Sequence, residues 1–332
     1  MQIPSHADYV QIYFTLFDRF RQIETEPSCQ GHPYTYTEKV LIVFFTIMIM
    51  RRITKFKAQW RWLALHPKEA RELGFESVPH RTTLSRRFKK LGTTIQAFVF
   101  FLGRWAESLA PSLDSHVLVE DASLFKAQGP VWHQSDRKAN RIPEKLRNLD
   151  TDASWRKSAY HGWVYGYSLH LTCNRIGFPK LIQVETASVA EGNVLEQKTE
   201  ALFNLNPEAL VGDNAYFKAM RVRKWAKQGI LLLTPANAWK KGRYAEAYHR
   251  FIQKPLPATW LACRKTAIEP VFDLFSKVLG TTNYQKQLPM QGLSNVRTFL
   301  ALGVLAVQIA MIVNNAWNLP HRQISAILTA FS

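Results

Sequence analysis

Cysteine is scarce. Only Cys29, Cys173 and Cys263 occur along 332 residues, with no CxxC spacing, which excludes a disulfide framework and suits a reducing compartment. Neither these nor His133 and His161 have zinc-like spacing, so no structural zinc is expected. Acids are also in short supply, 25 Asp and Glu against 43 Lys and Arg, for a formal net charge of +18. Such an excess repels itself unless counter-charge is supplied, so a polyanion, nucleic acid or an acidic membrane surface, is the default partner. Long apolar runs are missing too. VLIVFFTIMIM (40–50) and FLALGVLAVQIAMIV (299–313), the second interrupted by Gln308, fall short of the roughly 18 to 20 residues that span a bilayer and read as buried helices. The opening MQIPSHADYVQIYF lacks a basic stretch followed by an apolar one, so no secretory signal is expected. The chain reads as intracellular, with no membrane partner.

What is present suits a globular protein with one large domain and a smaller one: 47% of residues are hydrophobic and 12% aromatic. The first hundred or so residues show apolar positions at helical spacing and few turn signals. They also concentrate cations. From 51 to 104 there are thirteen basic residues against three acids, Glu69, Glu72 and Glu76. Within GFESVPHRTTLSRRFKKLG (74–92), a turn ending at Pro79 leads into a helix with Leu84, Phe88 and Leu91 at i, i+4 and i+7. Its other face offers Arg81, Thr82, Arg86, Arg87, Lys89 and Lys90. This is the pattern of a helix-turn-helix near 66–92, one face anchoring and the other meeting DNA, with a solvated basic helix as the alternative.

Beyond PSLDS (111–115) the grammar changes to strands. HVLVEDASLFKA (116–127), GWVYGYSLHLTCN (162–174) and PKLIQVETASV (179–189) suggest an antiparallel meander. A helix near 193–204, a strand EALVGDNAYF (208–217), a basic helix KAMRVRKWAKQG (218–229) and a strand ILLLTPAN (230–237) follow, before helices at 264–280 and 295–318. The expectation is an α/β fold: a mixed five-stranded sheet flanked by helices over 113–320, preceded by an all-helical region over 1–112. A short basic insertion is expected at about 238–260.

Asp121 and Asp213 each follow an apolar stretch, and Glu269 lies in CRKTAIEPVFDLFSKVLG, where Ile268, Phe272, Phe275 and Leu279 form a helical stripe. Were the first and fourth strands neighbours, two carboxylates would meet at one edge and a helix could add the third. Clustered carboxylates repel one another unless cations neutralise them, which suits hard divalent metals. Two such metals can drive in-line attack at a phosphodiester. On spacing alone, the alternative that each acid is a helix cap or strand-end charge stays open. Successive strand side chains face opposite ways, so only one of Glu120 and Asp121 can serve, and Asp121 is favoured. Asp273, one turn beyond Glu269, is a lesser candidate; Asp150 and Asp152 read as loop caps or supporting groups, and His170 as structural or near the site.

The order EDASLF, VGDNAY and RKTAIEPVF, with LDTDASWRKSAYHGWVYGYSLHL (149–171) and VETASVAEGNVLEQ (184–197) between, resembles the DDE transposases of bacterial insertion sequences. The likeness covers roughly residues 75 to 315. It implies an RNase H-like catalytic domain, related to that of retroviral integrases, behind a helical DNA-binding region. It also implies that Asp121, Asp213 and Glu269 are catalytic and bind two Mg²⁺ or Mn²⁺ ions for strand cleavage and transfer. Double-stranded DNA would be the partner, as terminal inverted repeats and target, and a homodimer would bring two ends together. The protein would then be cytoplasmic and nucleoid-associated in a bacterium. One departure stands: many relatives place a tyrosine, an arginine and a lysine at set intervals about the glutamate. Here Arg264 and Lys277 each lie one residue too far from Glu269, position 261 is Leu, and Lys265 competes with Arg264. From 218 to 254 ten basic residues, Lys240, Lys241 and Arg243 among them, face one acid, Glu246. That excess suits a groove tracking phosphates, to which Arg264 and Lys277 would add, and Trp239 could stack on a base. The rival readings are another two-metal nuclease or resolvase on this fold, and a DNA-binding regulator derived from a transposase.

Overall fold

The computed structural model describes residues 6–23, 35–113, 115–158, 161–235, 242–281 and 286–331. The chain divides into two compact units, one of residues 1–102 and 274–332, the other of 103–273. The first unit begins with helices α1 (His6–Ile23), α2 (Glu38–Met50), α3 (Phe56–Leu65), α4 (Pro67–Glu72) and α5 (Arg81–Arg104), whose last two residues fall in the second unit. In α5, Leu84, Phe88 and Leu91 are buried as their spacing predicts. Phe45 of α2 meets Phe88 edge-on, ring centres 4.9 Å apart. Two helices do flank Pro79, but residues 73–80 between α4 and α5 exceed the tight turn of a helix-turn-helix.

The second unit holds the sheet. After α6 (Ala106–Leu109), β1 (Val117–Lys126) leads through α7 (Gln134–Lys138) to β2 (Ser154–Ser158), β3 (Gly162–Asn174) and β4 (Pro179–Thr186). Helix α8 (Glu191–Phe203), β5 (Ala209–Val211), α9 (Ala219–Ala226), β6 (Leu231–Leu233), α10 (Arg243–Ile252) and α11 (Pro255–Leu279) follow, the last crossing into the first unit at residue 274. The strand order is β2-β3-β1-β5-β6, with β4 also on β3. β2 and β4 pair with successive halves of β3, 162–166 and 167–173, while β1 takes the other edge. The first four strands are antiparallel neighbours, and β1, β5 and β6 run parallel. The expected mixed sheet is present, with six strands where five were expected. SWRKS (154–158) alternates weakly and is short, so its pairing depends on the exposed end of the long β3, which local sequence does not reveal.

One face of this sheet is closed by a charge pair. Glu120 of β1 is fully buried and accepts from Lys198 Nζ of α8 at 2.7 Å through both carboxylate oxygens, and from Thr172 Oγ1. Burial pulls the Lys198 ammonium below its ordinary pKa, and Glu120 opposes that shift. His170, also fully buried, shares a 2.9 Å hydrogen bond with Ser168 Oγ. Burial, and then the charges of Lys198 and Arg156, push it down to about 3, so it is a core residue. Asp150 is buried as well: Tyr167 Oη donates to both its carboxylate oxygens at 2.8 Å, anchoring the loop before β2.

The C-terminal helices α12 (Leu293–Ala316) and α13 (Ile324–Phe331) return to the first unit, so residues past 274 leave the sheet unit, against the expectation of a catalytic domain to 320. The reason is apolar demand. At 24 residues α12 is longer than its apolar run suggests and apolar enough to cross a membrane, yet 94% of its apolar window is buried within the protein. A Cβ on Gly303 would come within 2.7 Å of the Phe275 ring and 2.8 Å of Leu279, so glycine lets α12 lie against the end of α11. Gln308 donates to the Val99 carbonyl at 2.9 Å, which explains a polar residue in that run. Arg52 donates to the carbonyls of Lys277 and Val278 at the end of α11, where a cation also complements the helix dipole.

Two stability predictions follow from the sheet unit. Lys198→Met alone leaves Glu120 buried without its cation and should cost about 3–5 kcal/mol in urea unfolding, whereas Glu120→Leu with Lys198→Met should cost much less than the two single changes summed. Because the folded state holds His170 neutral far below its unfolded pKa, stability is lost as pH falls below 6.5, by up to about 1.4 kcal/mol per pH unit. The difference in unfolding free energy between wild type and His170→Gln should therefore shift in favour of the variant as the buffer moves from pH 7 to pH 4.

Candidate active site

The parallel pairing of β1 with β5 sets the register Val119↔Val211. Asp121 and Asp213 each lie two residues beyond that pair, so alternation brings both to the same side of neighbouring strands, Asp121 midway along β1 and Asp213 just past β5. Asp121 remains in β1, opposite Leu171 of β3. Asp213 stands just past β5, where its Oδ1 accepts from the Ala215 backbone at 2.8 Å and caps a short turn, 214–216. Gly212 is required there: a Cβ would approach the Tyr216 ring to 2.7 Å. Tyr216 is fully buried, and its phenol is pushed well above its usual range by burial and then by Glu120, Glu191, Asp121 and Asp213.

Asp121 makes two contacts. Its Oδ1 accepts from the Ala122 backbone at 2.9 Å and its Oδ2 from Arg264 Nη1 of α11 at 3.1 Å. The side chains are 19% and 25% exposed respectively. Burial raises Asp121 to about 6; Arg264 and the Ala122 hydrogen bond oppose the shift, and the charges of Asp213 and Glu120 add to it.

The third expected acid is not part of this arrangement. Glu269 is exposed on α11. Five residues from Arg264, it is turned about 140° around a helix of 3.6 residues per turn, so the face that meets Asp121 presents the arginine. Among the described residues, no group of three or more His, Cys, Asp and Glu side chains is placed to hold a metal. The Asp121–Asp213 pair fits a hard divalent ion in its oxygen donors and in its need for positive charge; the three-carboxylate set is not assembled. Asp273 is exposed one turn further on.

An acid that sequence reasoning passed over is Glu191, the first residue of α8. It pairs with Arg156 of β2, and its Oε2 is buried without a hydrogen-bond partner. Burial raises it to about 7, opposed by Arg156, and the charges of Asp213 and Asp121 raise it further. Arg221 of α9, itself buried, donates to the carbonyls of Gly192 and Tyr216 and to Glu196, tying the start of α8 to the Asp213 turn. Glu191 lies inside VETASVAEGNVLEQ, but only the pairing of β2 with β3 shows that an arginine faces it.

The predicted DNA-contacting residues separate. Arg81, Thr82, Arg86, Lys89 and Lys90 are exposed on α5. Arg87 is not: at 8% exposure its guanidinium turns inward to the Tyr36 carbonyl at 3.4 Å. Residue 87 follows Leu84 by three positions, which puts it beside the apolar stripe. In the predicted insertion, Lys240, Lys241 and Trp239 lie outside the described residues. Arg243 is exposed, and with Arg223 it packs on the exposed ring of Tyr244, 5.2 and 5.1 Å from the centroid. Lys277 is exposed on α11 within the first unit, and Arg264 is held by Asp121.

Because Asp121 is protonated more readily when folded, its contribution to stability is lost as pH rises through about 6. In metal-free buffer, Asp121→Asn should therefore unfold at a higher urea concentration than wild type at pH 8, by about 1–2 kcal/mol. By pH 4 the advantage should be gone.

Residues 113–274 match the family model described as "Transposase DDE domain". No curated protein matches the chain. Among solved structures the chain is similar to one described as "Mos1 transposase paired-end complex with left transposon end", at 10% identity over 75% of this chain and 85% of that one, with a TM-score of 0.23; a likeness at that level carries no argument. The matched span begins just before β1, ends one residue past the second compact unit, and contains Asp121, Asp213 and Glu269. Residues 113–274 of this chain are thus similar to the transposase DDE domain family.

Proposed function

We propose that this chain is a DDE transposase that binds the ends of a mobile DNA element and catalyses metal-dependent strand cleavage and strand transfer. The observation that carries the reading is the β1–β5 register, which places Asp121 beside Asp213 within the span matching a transposase DDE domain. In this reading Asp121 and Asp213 hold Mg²⁺ or Mn²⁺, two ions per site. Bound there, such ions would supply an activated hydroxyl nucleophile and charge for the leaving oxygen.

The chain's own part is to bind and to place. The net charge of +18 favours a polyanion. The exposed basic residues Arg81, Arg86, Lys89 and Lys90 of α5, and Arg223 and Arg243 around Tyr244, suit a duplex backbone. Arg221 fixes the Asp213 turn against α8, and the rigid ladder of β1 on β3 fixes Asp121. Glu269 is the third carboxylate that the resemblance assigns, and α11 has to turn or shift before it can join the pair. Synapsis of two ends by a homodimer, and a cytoplasmic, nucleoid-associated location in a bacterium, belong to the same proposal.

Incubation with element-end duplexes and Mg²⁺, resolved on a denaturing gel, should yield nicked ends and then joined products. Asp121→Asn, Asp213→Asn and Glu269→Gln should each lower cleavage by about a hundredfold or more, with end binding in a gel shift unchanged. Hydrolysis without joining would favour a nuclease or resolvase on this fold, and binding without cleavage a DNA-binding regulator. Full cleavage by Glu269→Gln would remove Glu269 from the site.

A further inference from the structure

Both oxygens of Asp121 are engaged. Oδ1 accepts from the Ala122 backbone, and Oδ2 is taken by Arg264 at 3.1 Å. A guanidinium therefore stands where a hard cation would have to approach the pair from that oxygen, and two cations within a few ångströms of each other repel. The same guanidinium has a second class of partner. Arginine binds phosphate oxygens with the forked geometry it uses for carboxylates, and Arg264 is 25% exposed, so solvent and a phosphate can reach it. Its neighbour Lys265 is exposed on the same helix.

We infer that Arg264 is a positioning residue that occupies Asp121 in the DNA-free chain and releases it when drawn to a DNA phosphate, so that duplex binding and loading of a divalent ion at Asp121 are coupled. The inference rests on the reading of Asp121 as an ion-holding group. Its consequence is order: ion affinity is low until DNA is bound, which would keep the DNA-free protein from assembling a nuclease.

The test uses the full chain, Mn²⁺ as probe and electron paramagnetic resonance to count free ion, with a duplex oligonucleotide added in a second arm. Arg264→Gln should bind Mn²⁺ more tightly than wild type without DNA, by about fivefold, in line with an ion pair of up to about 1 kcal/mol. Arg264→Lys, which keeps a cation, should stay near wild type. Duplex DNA should tighten Mn²⁺ binding by wild type, after subtraction of the same DNA with Asp121→Asn, and should have no such effect on Arg264→Gln. Equal Mn²⁺ affinity in wild type and Arg264→Gln, or equal tightening by DNA in both, would overturn the inference. Were Arg264→Gln unfolded by circular dichroism, the wild-type arm decides: no tightening by DNA overturns the inference, and tightening that Arg264→Lys preserves upholds it. The Asp121→Asn variant separates the two levels. If it binds Mn²⁺ like wild type without DNA, the ion is not held at Asp121, and the reading of the site fails independently of Arg264.

Discussion

The site depends on a single register. β5 has only three paired residues, yet its parallel pairing with β1 through Val119↔Val211 decides that Asp121 and Asp213, 92 residues apart in sequence (213 − 121), end as neighbours. A slip by one residue would turn one of the two acids to the opposite face of the sheet, where α8 already places Lys198 against Glu120. That buried pair works as a register lock. Asp121 cannot exchange with Glu120 without leaving Lys198 buried and uncompensated.

Charge is arranged in two layers about this register. On one side of β1 the Glu120–Lys198 pair is sealed from water and serves the fold. On the other side lies Asp121, raised by burial with Asp213 adding to the shift, while Glu191 at the start of α8 is raised by burial and by the charges of both aspartates. Two arginines, Arg264 and Arg156, offset part of these shifts. A cluster of carboxylates that is costly when ionised is a poor structural choice and a good place for a cation to bind. The site thus spends stability on function, whereas the helical unit, with α12 buried along most of its length, does the opposite.

Sequence reading and structure part company where long-range pairing intervenes. Alternation in HVLVEDASLF separated Glu120 from Asp121, because a strand's two-residue period is local. Leu84, Phe88 and Leu91 found the buried stripe of α5 for the same reason, while Arg87, at the margin of that stripe, was misjudged. β2 escaped notice because SWRKS acquires a partner only from the overhanging end of β3. Glu191 escaped because its arginine comes from that strand. Glu269 was placed with the aspartates by resemblance, but the face an α-helix turns to its neighbour is set by packing, and in α11 that face carries Arg264.

The sequence by itself determined most of the order of elements, the basic surface, the two candidate aspartates and the likeness to a transposase domain, since each is written in local periodicity, composition or short motifs. Only the tertiary structure decided which carboxylates meet, that α12 joins the helical unit, and that Arg264 reaches Asp121 across 143 residues. Those outcomes depend on strand register and helix rotation. Both are fixed by the burial of apolar faces contributed from distant parts of the chain, which no short stretch of it encodes.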